Sequence, residues 1–189
     1  IFDDKEIILF FKNNYPPKVL KTFNSLHRGP HKADLFRYCY LYKFGGIYID
    51  IKTVLIKNIE KIFNKKNVDL YTVISRNNYT IHQGVIASIP NNPLFIDLIN
   101  YIINIDKPVI QYFAFTIDFY NKLKKIYKMR KLKTGYLKSS TNNSYLFYEK
   151  CSQNPNDCED GLDRYNVCCY IYDEGKKIIK TRYSDYPWK

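Results

Sequence analysis

The chain has 189 residues, 46% of them hydrophobic and 25% charged, which fits one globular domain with its own core. No apolar run reaches the ~18–20 residues that a membrane-spanning helix needs. The formal charge of +12 points toward phosphate-bearing partners, but Asn, Ile, Lys and Tyr are all abundant, as an AT-rich coding sequence produces. Lysines spread in that way argue against a nucleic-acid-binding module as the main function.

Taken in order, Asp3 and Asp4 suit the cap of a helix over residues 5–12 (KEIILFFK), which Tyr15, Pro16 and Pro17 break. A second short helix spans residues 19–26, and Pro30 opens a third. In that third helix Leu35, Cys39 and Tyr42 fall at i, i+4, i+7 with Phe36 and Tyr40 alongside, as one wide apolar stripe. Asp34 and Arg37, three apart, share a face. Gly45 is a natural stop. Residues 47–51 then alternate with period two, placing Ile47, Ile49 and Ile51 on one side and Tyr48 and Asp50, with Lys52, on the other.

Downstream the pattern predicts a strand at 54–56, a short helix at 59–63 and strands at 69–75 and 80–89. Gly84 marks a place where the backbone approaches something closely. A helix over 94–103 follows, then another from 109 to 128, introduced by Asp106, Lys107 and Pro108. The basic run at 122–133 (KLKKIYKMRKLK) reads as a solvated amphipathic helix. From about residue 134 the texture changes to strands and loops, with strands at 144–149, 167–172 and 177–182 and a hairpin turn at 173–176. The expected fold is α/β with a mixed sheet, one domain over 1–189 with a loop- and strand-rich C-terminal lobe. The start at Ile1 and the absence of a strand before the first helix predict a preceding segment.

Five cysteines are an odd number. Cys39 lies on the apolar helix face and reads as core. Cys151 and Cys158 bracket a polar loop (SQNPND) and suit a small disulfide loop in an oxidising compartment. A zinc site is a poor match to the spacing that Cys168 and Cys169 complete. Those two, adjacent in a strand, point to opposite faces, so one belongs to the core.

Lys32-Ala33-Asp34-x-x-Arg37-Tyr38, then Leu41-Tyr42 and Gly45-Gly46-Ile47-Tyr48-x-Asp50, resembles the signature of glycosyltransferases with the DXD sugar-binding region. That family includes yeast-type initiating α-1,6-mannosyltransferases and clostridial glucosylating toxins. Weaker similarity extends through Gln83-Gly84-Val85-Ile86-Ala87-Ser88, Pro90 and Pro93 to Trp188. The resemblance implies a GT-A-like, Rossmann-related fold lacking its N-terminal strand. It also implies retaining transfer from a UDP- or GDP-sugar to a hydroxyl of a glycan or protein. Asp34, Arg37 and Tyr38 would then hold the donor, with Gln83 facing donor or acceptor and Trp188 near the diphosphate. Asp50 would be the first acid of the motif, near the ribose and a divalent metal, Mn²⁺ or Mg²⁺. A membrane anchor ahead of Ile1 also fits the resemblance, and Golgi-type lumen and cytoplasm both remain open.

Lys52 departs from the pattern, because the family has its second acid there and a protonated lysine cannot ligate a metal. Three readings follow. The ammonium itself neutralises the leaving diphosphate, or Asp50 holds metal together with Asp185, or the site binds a sugar nucleotide, or nothing, without turnover. On residue chemistry alone, Asp34 with Arg37 also reads as an i, i+3 surface pair and Asp50 with Lys52 as a same-face pair at a strand end. His82 reads as structural. Asp163, Arg164 and Tyr165 form a polar cluster that suits a site or a structural ion pair.

Overall fold

A reciprocal cap starts the first helix: the Asp3 carboxylate accepts from the Glu6 N–H, and the Glu6 carboxylate accepts from the Asp3 N–H, both at 2.8 Å. The structure, a computed structural model, describes residues 2–105, 109, 111–163 and 165–181. Helix α1 (Asp4–Asn14) and α2 (Pro17–Ser25) pack on the long α3 (Gly29–Phe44). The joint is aromatic, with ring centroids 4.9 Å apart for Phe11 and Phe23 and 5.4 Å for Phe10 and Phe36. Gly45 ends α3 at φ +65, and a Cβ there would lie 2.6 Å from the Pro90 nitrogen, so conformation and crowding both demand glycine.

The remaining elements are β1 (Gly46–Ile49), β2 (Thr53–Leu55), α4 (Ile59–Ile62), β3 (Leu70–Ile74), β4 (Ile81–Ser88), α5 (Pro93–Ile103), α6 (Ala114–Ile126), β5 (Gly135–Lys138), β6 (Asn143–Ser152), β7 (Cys168–Asp173) and β8 (Lys176–Thr181). The strands form one sheet in the order β1-β4-β3-β6-β7-β8-β2, with β5 added along β6. Among the described residues only the β3–β6 pair is parallel, so the sheet is mixed. Leu70, Ile86 and Leu146 join α3, α5 and α6 in the larger core, with Leu35, Phe95, Leu98, Phe119 and Leu123. Tyr71, Val73, Val85, Tyr145 and Phe147 form a second cluster with Ile62 of α4 and with Ile171 and Ile179.

β1 and β2 stand at opposite ends of the strand order, yet three residues separate them in the chain. The step from Ile49 to Thr53 reaches at most about 14 Å. Seven strands laid flat would hold their outer members ~29 Å apart. The sheet is therefore strongly coiled, and its two edges approach each other at the turn of residues 50–52. The Asp50 N–H donates to the Gly84 carbonyl at 2.9 Å, while Thr53 pairs with Thr181 of β8.

Several expectations change. β1 stops at Ile49, so Ile51 leaves the alternation and is 91% exposed in the turn. The basic run is not one helix: α6 ends at Ile126, Lys128 takes a left-handed φ of 52, and Leu132 turns back into the core. Residues 106–108 and 110, expected to open that helix, lie outside the described residues. Cys151 does not pair with Cys158; the disulfides are Cys151–Cys169 and Cys158–Cys168. The reason is register. Cys151 lies directly opposite Cys169 in the β6–β7 ladder, with Cα atoms 4.0 Å apart. The neighbouring Cys168, on the other face, takes Cys158. Cys39 is free and buried, as its place on the apolar stripe requires. Among the described residues no helix is long and apolar enough to cross a membrane.

Candidate functional site

α3 carries Asp34, Arg37 and Tyr38 on one face, and the turn after β1 brings Asp50 to the same place. The Arg37 guanidinium lies between the two acids, with Nη2 3.5 Å from Asp34 Oδ1 and 3.7 Å from Asp50 Oδ1. Its Nε donates to the Ala33 carbonyl at 3.2 Å, and Nη1 donates to the Gln83 carbonyl. The guanidinium carbon sits 4.5 Å from the centre of the Tyr48 ring, whose hydroxyl donates to Asp50 Oδ1 at 2.9 Å. Lys52 Nζ approaches the other Asp50 oxygen at 3.9 Å, and its side chain is only 8% exposed.

Gln83 backs this arrangement. In the amide orientation that satisfies both ends, its nitrogen donates to Asp34 Oδ1 at 3.3 Å and its oxygen accepts from the Thr116 N–H at 3.3 Å. The Tyr38 hydroxyl also lies against this amide, while the Tyr38 ring is fully buried between Phe95 and Phe119. Tyr38 therefore stands behind the site rather than on its surface. Gly84 shows the close approach expected of it: a Cβ would lie 2.8 Å from His82 Nε2 and 2.9 Å from Asp50 Oδ2. His82 Nδ1 is 3.6 Å from Glu149 Oε1. Glu149 in turn accepts from the Ser75 hydroxyl at 3.2 Å and the Arg76 N–H at 3.3 Å. A line of charged groups thus runs from α3 across the turn and β4 to β6.

The two acids beside Arg37 titrate in opposite directions. Burial pushes the Asp34 carboxyl up to about 6, with Arg37 pulling it down and Asp50 pushing it further up. Burial also pushes Asp50 up, but Arg37, Lys52 and His82 together outweigh it and hold Asp50 below the usual carboxylate range. Burial brings Lys52 below the ordinary lysine value against the pull of Asp50 and Glu149, and burial likewise lowers His82. Asp50 is the more open of the two acids, its side chain 15% exposed. An ionised carboxylate of this kind accepts hydrogen bonds from ligand hydroxyls, and the flanking cations offset negative charge that develops nearby.

A divalent cation needs several oxygen ligands converging on one point. Asp50 Oδ1 is engaged by Tyr48 and Arg37, and Oδ2 faces Lys52. Among the described residues, three metal-ligating side chains gather within 4.8 Å only at Glu149, Cys151 and Cys169, where the two sulfurs are already bonded to each other. The described donor set at Asp50 does not fit such an ion. Asp185 and Trp188, both expected at the site, lie outside the described residues, as does Arg164. The Asp163 carboxylate accepts from the Tyr165 and Val167 N–H groups and so organises a local turn.

Sequence reasoning brought Asp34, Arg37, Asp50, Lys52 and Gln83 to the fore, and the structure places these five together. It passed over Tyr48 and Glu149 and took His82 as structural. The available signal for Glu149 was an acid continuing the alternation of Tyr145 and Phe147 on a strand face otherwise buried.

Comparison with known proteins gives the same segment a name. Residues 2–69 match the family model described as the glycosyltransferase sugar-binding region containing the DXD motif. The chain is 35% identical over 103 residues to an uncharacterised glycosyltransferase of Acanthamoeba polyphaga mimivirus, covering 50% of this chain and 38% of that protein. It is 37% identical over 76 residues to the initiation-specific α-1,6-mannosyltransferase of Candida albicans, covering 35% of this chain and 20% of the relative. The Saccharomyces cerevisiae enzyme of the same name is 34% identical over 79 residues, covering 41% and 16%. The matches thus take in well under half the length of each relative. No solved structure matches the chain. The similarity to glycosyltransferases with a DXD-type sugar-binding region thus rests on residues 2–69, the segment that holds Asp34, Arg37 and Asp50.

Proposed function

We propose that this chain forms the donor side of a retaining glycosyltransferase with a GT-A-like fold, moving a sugar from a UDP- or GDP-linked donor to a hydroxyl of a glycan or protein. The observation that carries the reading is the convergence of Asp34, Arg37 and Asp50 around one guanidinium, inside the segment that matches the family. Asp50 accepts hydrogen bonds from donor hydroxyls. Arg37 positions Asp50, and Asp34, Tyr38 and Gln83 form the layer that fixes Arg37. Lys52 and Arg37 offset the charge gathered on the departing nucleoside diphosphate. The bond from the sugar's anomeric carbon to the phosphate oxygen breaks, the bond to the acceptor oxygen forms on the same face, and the leaving phosphate takes the acceptor proton. No step runs through a metal.

The test is transfer and donor hydrolysis by the full-length protein with UDP- and GDP-sugars, in EDTA and in Mn²⁺. Turnover in EDTA, lost in Asp50→Ala and reduced in Lys52→Ala, is the expected result. A Lys52→Asp protein that turns over only with Mn²⁺ supports the role of the ammonium. Tight donor binding with no turnover in any condition points instead to a binding protein, and full activity in Asp50→Ala overturns the site. Substitution of Trp188 or Asp185 asks whether either contributes, as the resemblance implies.

A further inference from the structure

β5 and β7 both lie along β6 on the side away from β3, but they leave a gap between them. β5 pairs with residues 143–146 and β7 with residues 148–152. At this gap is a cavity of about 330 Å³, toward the lower end of the range for small-molecule sites. Four tyrosines line it: Tyr136, Tyr145, Tyr148 and Tyr172, with Asp173 and Glu174 at its rim. Tyr148 and Tyr172 stack at 5.2 Å with ring planes 13° apart. Tyr136 stands edge-on to Tyr145 at 4.9 Å and is 50% exposed.

The charges narrow the choice of ligand. In a chain of formal charge +12, no lysine or arginine among the described residues lines this cavity, and the nearest ammonium, Lys65 Nζ at 4.8 Å from the centre of the Tyr145 ring, is paired with the two rim acids, so the cavity is unsuited to a phosphate. Its two acids attract a cation only weakly, because Lys65 Nζ lies 3.5 Å from Asp173 and 3.2 Å from Glu174. What remains is flat aromatic surface beside carboxylate and phenol oxygens able to accept hydrogen bonds; Asp173 already accepts one from Tyr145 at 2.6 Å. That combination suits a ring with an apolar C–H face and hydroxyls around its edge. We propose that the cavity is a saccharide-binding pocket for a neutral glycan. Resting on the transferase reading, it holds a part of the acceptor away from the reacting hydroxyl. The pocket and the ion network share strand β6: Tyr145 and Tyr148 line the pocket, and Glu149, the next residue along, belongs to the network.

The probes are mannobiose, maltose and cellobiose, added to the intact chain without donor and followed by saturation-transfer NMR and calorimetry. Binding of at least one is expected, weakened at least about fivefold in Tyr136→Ala and retained in Tyr136→Phe. Glu174→Gln is expected to weaken it about twofold or more, and Asp50→Ala to leave it unchanged. The pocket assignment fails if none of the three binds, if Tyr136→Ala and Glu174→Gln both leave binding intact, or if a lysine-rich peptide binds there in their place. Saccharide binding in a protein that never turns over donor removes the transferase reading and keeps the pocket. Turnover with an acceptor KM unmoved by Tyr136→Ala does the reverse.

Discussion

Arg37 is held by five neighbours at once, and its removal leaves two acids facing each other in the interior. Arg37→Ala is expected to cost roughly 3–5 kcal/mol, because the uncompensated charge of Asp34 and Asp50 stays buried. Urea unfolding measures this directly, and a loss below ~1 kcal/mol would show that the guanidinium is not their main partner. Asp34 gives a pH signature of its own. Its folded pKa of about 6 lies above the ordinary 3.8, so the folded state binds the extra proton between these values. That contribution is complete below the lower value and is lost as pH rises through the upper one. Between pH 4 and 6 the wild type should therefore lose stability relative to Asp34→Asn, and a flat difference across that window would contradict the assignment. The two acids and Arg37 stood out in the sequence through the family resemblance; spacing alone read Asp34 and Arg37 as a surface pair, and both are buried. Their contact with the strands was not legible, since Gln83 reaches Arg37 from 46 residues away.

Among the elements, the two glycines that flank the site differ in what they protect. Gly45→Ala meets both a left-handed φ and the Pro90 backbone, so a loss of about 2 kcal/mol or more in stability is expected by thermal or urea unfolding. Gly84→Ala puts its methyl against Asp50 Oδ2 and His82 Nε2, and so should lower kcat at least about tenfold with a smaller effect on melting temperature. Equal effects on both readouts would make Gly84 a packing residue only. Helices were the most legible elements. α5 carries a clear periodic stripe and α1 a clear cap, whereas α3, expected to show one apolar stripe, is buried at every position from Asp34 to Cys39. β5 was not anticipated, because four residues (GYLK) give too short an alternation and its partner edge on β6 is set by tertiary pairing. The basic run misled because lysine favours helix locally, whereas the left-handed Lys128 and the buried Leu132 follow from packing.

At the scale of the molecule, the cross-links staple the C-terminal strands. Cys151–Cys169 and Cys158–Cys168 join residues 18 and 10 apart, one inside the other. Their reduction is expected to cost about 2–4 kcal/mol in total stability. Mass-spectrometric mapping that found Cys151 joined to Cys158 would refute the observed register. The pairing was illegible in the sequence because spacing alone does not say which of two adjacent cysteines faces which partner.

The coiling of the sheet gives the turn at 50–52 a second meaning. Three residues act as the clasp of a bracelet, with one end fastened to β4 and the other to β8. Loosening the clasp should let both rims fray together, although they are the two strands furthest apart in the pairing order. Amide hydrogen exchange offers the measurement. A ligand seated on Asp50 should slow exchange in β1 and β2 alike, and a chain opened by glycine insertion between Ile51 and Lys52 should speed both. A ligand held at Asp50 would thus also hold the fastening of the whole band.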